Sequence, residues 1–190
     1  MTEILVVNLG GQWTHRIWRR LSYLGCESKI IPPYSPVEKI LDADGLVLSG
    51  GAVRIGSGGE ELVKNLTNYL NKFEKPVLGL CAGHQFMAMH FGGESRPATS
   101  PEYGHVEIQV VKEDDIFQNM PKTFTAWTSH NDEVTKAPDF DILAVSADCE
   151  NQAMKHKKRP LYGIQFHPEV EHTEQGEQIF KNFVSVCQND

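Results

Sequence analysis

The chain has 190 residues, of which 40% are hydrophobic and 23% charged, and its formal net charge is −7 at pH 7. This composition is typical of a folded globular protein that buries a core without needing disulfides or metal. The acidic net charge argues against a nucleic-acid-binding surface, which would need a basic stripe.

The cysteines, at positions 26, 81, 149 and 187, show no C-x-x-C spacing, so we expect reduced thiols rather than a disulfide framework. The first residues lack the basic and long apolar regions of a signal peptide. No apolar run approaches the roughly 20 residues that cross a bilayer as a helix. These features predict a cytoplasmic protein that makes no membrane contact.

The first half of the sequence alternates between strand and helix patterns. Strands are predicted at 4–9, 26–31, 45–48 and 76–80, and helices at 14–24, 62–73 and 82–91, with a short helical turn at 37–41. Strands and helices that alternate at this spacing indicate right-handed crossovers and a mainly parallel sheet. In such folds, sites lie at the carboxyl ends of the strands.

The second half is dominated by short β-type runs. They lie at 106–111, 123–128, 142–146, 152–156 and 161–166, and a helical pattern follows from about 174 to 186. We interpret these runs as an antiparallel addition that partly extends the same sheet. The predicted fold is therefore α/β, with a mainly parallel central sheet flanked by helices and an antiparallel β extension. No repeat or linker divides the chain, so we expect one domain over residues 1–190.

Cys81 lies where a predicted strand ends and a predicted helix begins. Gly79 and Gly83 flank it at i−2 and i+2, the spacing of a sharp strand-to-helix turn that exposes a nucleophile. Glycine is expected there because a side chain would collide where the backbone folds back beneath the nucleophile. The helix N-terminus favours the thiolate over the thiol. Cys81 is therefore a candidate nucleophile, and a buried packing cysteine is the alternative.

His167 and Glu169 also follow a predicted strand, which Pro168 ends. A cysteine nucleophile needs a base, and the base needs a carboxylate that fixes its tautomer and holds its charge. Cys81, His167 and Glu169 supply these three groups. A purely structural histidine at a strand end is the alternative.

A metal site is a further interpretation of this region. Its ligands would be His167, Glu169 and His172 with His130 or Asp132. Their spacing matches no H-E-x-x-H or related pattern, and no second cysteine is near, so we expect no metal here.

The sequence Ser49-Gly50-Gly51 follows the third predicted strand. Two glycines at this position expose backbone N–H groups beside the next strand end, an arrangement typical of an oxyanion or anion site. The same letters also resemble the start of the phosphate loop of ATP pyrophosphatases, although Ala52-Val53-Arg54 follows here instead of valine, aspartate and serine. A plain tight turn is the third interpretation.

Three separated motifs together resemble the class I (triad) glutamine amidotransferases, over nearly the whole chain. They are L-C-A-G-H-Q at 80–85, S-G-G at 49–51 and G-I-Q-F-H-P-E at 163–169. The stretches T-S-H-N-D-E-V at 128–134 and P-E-V-E-H-T at 168–173 are similar to the GMP synthase branch of that family. Two departures are Ala52, where members commonly have proline, and the pair Ala82 and His84, where many two-domain bacterial members have tyrosine and methionine.

The resemblance implies a flavodoxin-like fold and assigns roles to particular residues. Cys81 would attack the side-chain amide of L-glutamine, His167 would transfer protons, and Glu169 would orient His167. Backbone N–H groups of Gly51 and Ala82 would form the oxyanion hole. The expected substrate contacts are Gln85 and the backbone around Ser129 and His130. His130 with Asp132 is alternatively a sensor of a partner protein.

The ammonia formed by this chemistry needs an acceptor, and the resemblance implies a separate ATP-pyrophosphatase subunit that adenylates XMP. We expect no cofactor in this chain, with ATP and Mg²⁺ on that partner. The alternatives are a subunit of an anthranilate- or aminodeoxychorismate-type amidotransferase, and a stand-alone hydrolase of glutamine or γ-glutamyl compounds. We interpret the basic run at 155–159 as a solvated hairpin turn, with a docking surface for the partner as the alternative.

Overall fold

One nine-stranded sheet forms the centre of the computed structural model, which describes residues 1–51 and 59–189. The strands are β1 (Glu3–Val7), β2 (Glu27–Ile31), β3 (Gly45–Leu48), β4 (Val77–Leu80), β5 (Glu94–Val110), β6 (Thr123–Lys136), β7 (Phe140–Val145), β8 (Ala153–His156) and β9 (Leu161–Ile164). The helices are α1 (Thr14–Tyr23), α2 (Glu60–Lys72), α3 (Ala82–His90) and α4 (Gly176–Asn189), with short 3₁₀ turns at Val37–Lys39 and Asp115–Phe117.

The strand order across the sheet is β2-β1-β3-β4-β9-β8-β7-β5-β6. The first five strands are parallel, and the remaining four continue the sheet in antiparallel pairs. This topology confirms the predicted α/β fold with its antiparallel extension. The prediction was wrong for the last β run, because β9 joins the parallel part beside β4. All residues of β9 are buried, as is typical of a central parallel strand.

Helices cover both faces of the parallel part of the sheet. Ile4 and Val6 of β1 pack in one core with side chains of α1 and α4, whereas Leu5 and Val7 pack in a second core with α2 and α3. This alternation follows from the two-residue period of a strand. None of the helices in the described part of the chain has both the length and the hydrophobicity that crossing a bilayer requires.

The hairpin formed by β5 and β6 is much longer than predicted. β5 begins at Glu94 rather than at residue 106, and β6 continues to Lys136 rather than ending at residue 128. Proline in a sequence argues against a strand, and the early part of β5 contains two prolines. The pairing absorbs them through an irregularity between Pro97 and Glu102. β6 lies at the outer edge of the sheet, where its far side is free of a further strand among the described residues.

The turn from β4 into α3 brings the helix unusually close to the sheet. Cys81 adopts φ 48° and ψ −100°, a backbone conformation that non-glycine residues rarely occupy. A Cβ atom on Gly79 would lie 2.6 Å from the carbonyl carbon of Gly83, and one on Gly83 would lie 2.6 Å from the carbonyl oxygen of Leu48. Both positions therefore require glycine, as the spacing around Cys81 predicts.

Gly83→Ala tests this close approach through the sign of its effect on stability. At an ordinary helical position the change stabilises a protein by about 1 kcal/mol, because alanine is the better helix former. Here we expect the free energy of unfolding to fall by about 1–3 kcal/mol, because the new methyl group meets the Leu48 carbonyl. Urea denaturation followed by circular dichroism measures the change. A variant more stable than the wild type would contradict this explanation.

Candidate active site

The carboxyl ends of the parallel strands surround a cavity of about 410 Å³. Its walls are residues 10–14 after β1, Gly50 and Gly51 after β3, and Cys81 after β4. His167 and Glu169 line it after β9, and the β5–β6 hairpin contributes Tyr103, Ser129 and Asn131. Strand ends meet at this edge of an α/β sheet, so residues far apart in sequence reach one site.

The Cys81 thiol and the His167 imidazole lie next to each other in the wall of this cavity and share a hydrogen bond. Nδ1 of His167 lies 2.8 Å from Oε1 of Glu169, which leaves Nε2 for the interaction with Cys81. His167 and Glu169 are both buried, with 4% and 1% of their surfaces exposed. The structure therefore brings together the three residues predicted to form a triad. Their catalytic roles remain a prediction.

Backbone and aromatic contacts fix the position of His167. The backbone N–H of His167 donates to the backbone carbonyl oxygen of Trp127 on β6 at 2.9 Å. The hydroxyl of Thr173 donates to the His167 carbonyl at 2.7 Å and accepts from the Trp127 N–H at 2.9 Å. The Trp13 ring packs edge-on against the imidazole, with ring centroids 4.5 Å apart. The edge of β6 and the loop after β1 thus hold the imidazole in place.

The electrostatics of the pair favour a charged imidazole. Burial by itself lowers the pKa of His167, but the negative charge of Glu169 and hydrogen bonds with Cys81 and Glu169 outweigh it and raise the pKa to about 10. His167 is therefore an imidazolium at neutral pH. A cation of this kind beside a cysteine favours the nucleophilic thiolate.

The loop after β3 lies directly against Cys81 and the start of α3. The Ser49 hydroxyl accepts from the Leu9 N–H at 2.9 Å and donates to the Gly50 carbonyl at 2.8 Å, which ties the loops after β1 and β3 together. A Cβ on Gly51 would lie 3.2 Å from the methyl group of Ala82. The Ala82 N–H has no acceptor within its own helix, because α3 begins there. These positions suit the predicted oxyanion hole, which remains a prediction; residues 52–54 lie outside the described part of the chain.

Ser129 lines the cavity, but the side chains of Gln85 and His130 lie behind its wall. Nε2 of His130 lies 2.8 Å from Oε2 of Glu102 and Nδ1 lies 3.1 Å from the Asp132 carbonyl oxygen. The Gln85 amide donates to that same carbonyl at 2.8 Å. The structure gives both side chains a supporting position, and direct contact with a substrate remains a prediction.

Sequence reasoning missed several residues that line the cavity. The loop at 10–14 follows a parallel strand at its carboxyl end, so the Gly10-Gly11 pair was a signal that could have identified it. Tyr103 and Asn131 lie on the hairpin whose length was underestimated. Their side chains meet across the two strands, with Oη of Tyr103 donating to Oδ1 of Asn131 at 2.5 Å.

Glu102, His130 and Cys149 place one potential metal ligand each within 4.8 Å of one another. The Glu102 carboxylate already accepts hydrogen bonds from His130, Ser146 and Gln152. Burial raises the pKa of the Glu102 carboxyl, but these partners, led by His130, lower it overall. Burial raises the pKa of Cys149 to about 12, so it remains a thiol. The donor set favours a closed, hydrogen-bonded histidine–carboxylate pair over a metal site.

The basic run at 155–159 covers the last two residues of β8 and the turn into β9, at the end of the sheet opposite the cavity. Lys155 forms an ion pair with Asp114 at 3.1 Å. Lys157 and Arg159 each donate to a backbone carbonyl oxygen at 2.7 Å, Arg159 to that of Phe73 just beyond α2. These contacts favour the hairpin-turn interpretation, because most of the cations already serve the fold.

Comparisons with known proteins show which family the chain resembles over most of its length. The family model described as Glutamine amidotransferase class-I matches residues 5–187. The glutamine-hydrolyzing GMP synthase subunit of Methanothermobacter thermautotrophicus is 45% identical over the full length of both chains. The protein of the same name from Methanococcus aeolicus is 49% identical over 97% of each chain. A crystal structure of a GMP synthase subunit from Thermoplasma acidophilum superimposes with a TM-score of 0.95, at 44% identity, covering 100% of this chain and 95% of that one.

Alkylation tests whether Cys81 is the reactive thiol. We expect iodoacetamide at pH 7 to modify Cys81 at least about ten times faster than Cys26, Cys149 or Cys187, because only an ionised thiol is a good nucleophile and Cys81 lies beside an imidazolium. Mass spectrometry of peptides from briefly treated protein measures the rates. Cys81→Ala should remove the fast phase. Fast modification of Cys149, whose pKa is raised to about 12, would contradict this assignment.

The pKa of His167 makes a prediction about pH. Because an unfolded histidine has a pKa of about 6.5, protonation of His167 stabilises the fold fully below about pH 6.5, and this contribution is lost as the pH rises toward about 10. NMR of the imidazole nitrogens should show His167 still protonated at pH 8. In Glu169→Gln the pKa should fall, because burial then outweighs the remaining favourable contacts. A His167 that titrates alike in both proteins would contradict this account.

Proposed function

Because this chain belongs to the class I glutamine amidotransferase family, we propose that it hydrolyses L-glutamine as the glutaminase subunit of a two-subunit GMP synthase. The ammonia passes to a separate ATP-pyrophosphatase subunit, which aminates XMP to GMP. One observation carries the chemistry: a cysteine on a strand-to-helix elbow shares a cavity with a buried histidine–glutamate pair. The similarity to glutamine-hydrolyzing GMP synthase subunits over their whole length supports the choice of this pathway.

The reaction begins with attack of the Cys81 thiolate on the side-chain amide carbon of glutamine. Negative charge moves to the amide oxygen, which the N–H groups of Gly51 and Ala82 stabilise. Removing one such donor in other enzymes costs about 2.7–4 kcal/mol. His167, already protonated and held by Glu169, gives its proton to the departing nitrogen. Ammonia leaves, and a thioester joins Cys81 to the glutamyl group.

Hydrolysis of the thioester completes the cycle. The now neutral His167 takes a proton from water, and the oxygen attacks the thioester carbon. The carbon–sulfur bond breaks, glutamate leaves and Cys81 returns as the thiolate beside the imidazolium. Glu169 remains ionised throughout and fixes the imidazole tautomer, since its Oε1 is hydrogen-bonded to Nδ1.

ATP and Mg²⁺ belong to the partner in this proposal. The described residues that line the cavity include neither lysine nor arginine, the side chains that bind a triphosphate. Apart from Cys81, His167 and Glu169, the described walls are formed by glycine loops, aromatic rings and neutral polar groups, which suit a small zwitterionic amino acid.

The proposal is tested by measuring glutamate release from the purified chain by itself, and with the XMP-aminating synthetase of the same organism, ATP and XMP. We expect release that increases with the loaded partner, together with GMP formation from glutamine. Cys81→Ala should reduce glutamine-dependent GMP formation by at least about 10⁴-fold, because the nucleophile is lost. GMP formation from added ammonium chloride should persist, because it bypasses this chain.

Cys26→Ala is the matched control, because Cys26 is a buried thiol in the core beside α1 and β2 rather than in the cavity. It should retain full glutamine-dependent activity. Strong glutaminase activity that ignores the partner and the nucleotides would instead identify a free-standing hydrolase. Amination of chorismate, rather than XMP, would identify the anthranilate or aminodeoxychorismate pathways.

A further inference from the structure

A chain of buried amide contacts begins at the sulfur of Cys81. Nε2 of Gln165 lies 3.5 Å from that sulfur, and the Gln165 side chain is completely buried. Oε1 of Gln165 accepts from Nε2 of Gln85 at 3.1 Å. The same Gln85 nitrogen donates to the Asp132 carbonyl oxygen at 2.8 Å. Two glutamine side chains thus connect the nucleophile to β6.

The direction of each amide in this chain follows from one backbone carbonyl. The Asp132 oxygen can only accept, so Gln85 must turn its NH₂ group toward it. The second hydrogen of that NH₂ group is then available for Gln165, which must present its oxygen. Nε2 of Gln165 is left facing the sulfur of Cys81. The Asp132 carbonyl, separated from Cys81 by two side chains, therefore sets the orientation of the Gln165 amide.

A buried histidine–glutamate pair holds the strand that carries this carbonyl. Nδ1 of His130 lies 3.1 Å from the Asp132 oxygen and Nε2 lies 2.8 Å from Glu102. Ser146 and Gln152 bind the other lone pairs of the Glu102 carboxylate. The pair anchors β5 and β6 against the body of the sheet.

A thiolate that is 8% exposed has little water to stabilise it, so each donor within reach matters. His167 supplies one, and the Gln165 amide supplies a second from the interior. Hydrogen bonds to an ionised partner are roughly twice as strong as neutral ones. Among the described residues, the other titratable groups packed around these residues include Glu169, the His130–Glu102 pair, Asp132 and His84. Burial, with a smaller contribution from His130, lowers the pKa of His84 to about 3, so it stays neutral.

We propose that Gln165 is an additional catalytic residue that donates a hydrogen bond to the Cys81 thiolate, and that Gln85 is the positioning residue that fixes its orientation. This inference rests on the proposed function for its kinetic consequences, although its effect on the thiol does not depend on any substrate. Movement of the β5–β6 hairpin then reaches the nucleophile through Gln85. The hairpin also lines the cavity with Tyr103 and Ser129, so a displacement of the hairpin would change both the cavity wall and the hydrogen bond to the thiolate.

The first test is the pH profile of Cys81 alkylation by iodoacetamide. Gln165→Met keeps the length of the side chain and removes the donor, so the midpoint should rise by about one pH unit. In the glutaminase assay kcat should fall about 10-fold with KM unchanged, because Gln165 does not line the cavity. Gln109→Met, an exposed position on β5, is the control and should leave both readouts unchanged.

The second variant separates orientation from contact. In Gln85→Met no NH₂ group faces the Gln165 oxygen, so the orientation of the Gln165 amide is no longer fixed, and the change adds no charge near Cys81. The midpoint should rise, by no more than in Gln165→Met, although residue 85 does not touch the sulfur. Unchanged midpoints in both folded variants would overturn the proposal.

The wild-type protein provides a test that does not depend on the folding of any variant. The side-chain ¹⁵N–H signals of Gln165 should move with the same midpoint as alkylation of Cys81, and should shift again once Cys81 is alkylated. Signals that ignore both changes would overturn the proposal. Because neither the alkylation profile nor the NMR measurement uses glutamine, failure of the GMP synthase assignment would leave the outcomes of these two experiments readable.

Discussion

Helix α3 packs against β3 and β4 so closely that positions 79 and 83 have room only for hydrogen atoms. The rest of the site depends on this contact. This contact forces Cys81 into its uncommon backbone conformation and places the sulfur at the carboxyl ends of the parallel strands. The N–H of Cys81 donates to the carbonyl of Ile164 at 2.8 Å, so the elbow is joined to β9. Gln165 and His167 follow Ile164 closely in the sequence, and both side chains face the sulfur of Cys81.

Two buried histidine–glutamate pairs have different uses in this molecule. In both pairs a ring nitrogen lies 2.8 Å from a carboxylate oxygen, and the pairs differ in the group that faces the second ring nitrogen. In His167 that nitrogen faces the thiol of Cys81, a group with which it can exchange a proton. In His130 it faces a backbone carbonyl, which cannot exchange protons, and the pair serves to hold the hairpin. Burial makes either pair costly to break, because the remaining charge would be stranded.

Much of the fold could be predicted because its parallel strands are short apolar runs between clear helix patterns. The elbow at Cys81 was predictable from glycine spacing, and the His167–Glu169 pair from its place after a strand. The first half of β5 was not, because two prolines and several polar residues contradict strand propensity, and pairing with β6 overrides it. The orientations of Gln85 and His130 were equally out of reach. They depend on which acceptors lie nearby in three dimensions, and Glu102 is distant in sequence from His130, as Asp132 is from Gln85.

The loop that carries His167 also closes the open edge of β6. Main-chain groups of Thr125 and Trp127 pair with the segment from His167 to Glu174, partly through the Thr173 hydroxyl and the Glu174 carboxylate. An uncovered edge strand is a template for pairing with other chains and a common origin of aggregation. Substitutions that loosen this loop would thus expose the edge of β6 to pairing with other chains and would also displace the His167 imidazole. Loss of solubility during expression would then accompany displacement of His167, and a screen for soluble variants would indirectly select an intact His167 loop.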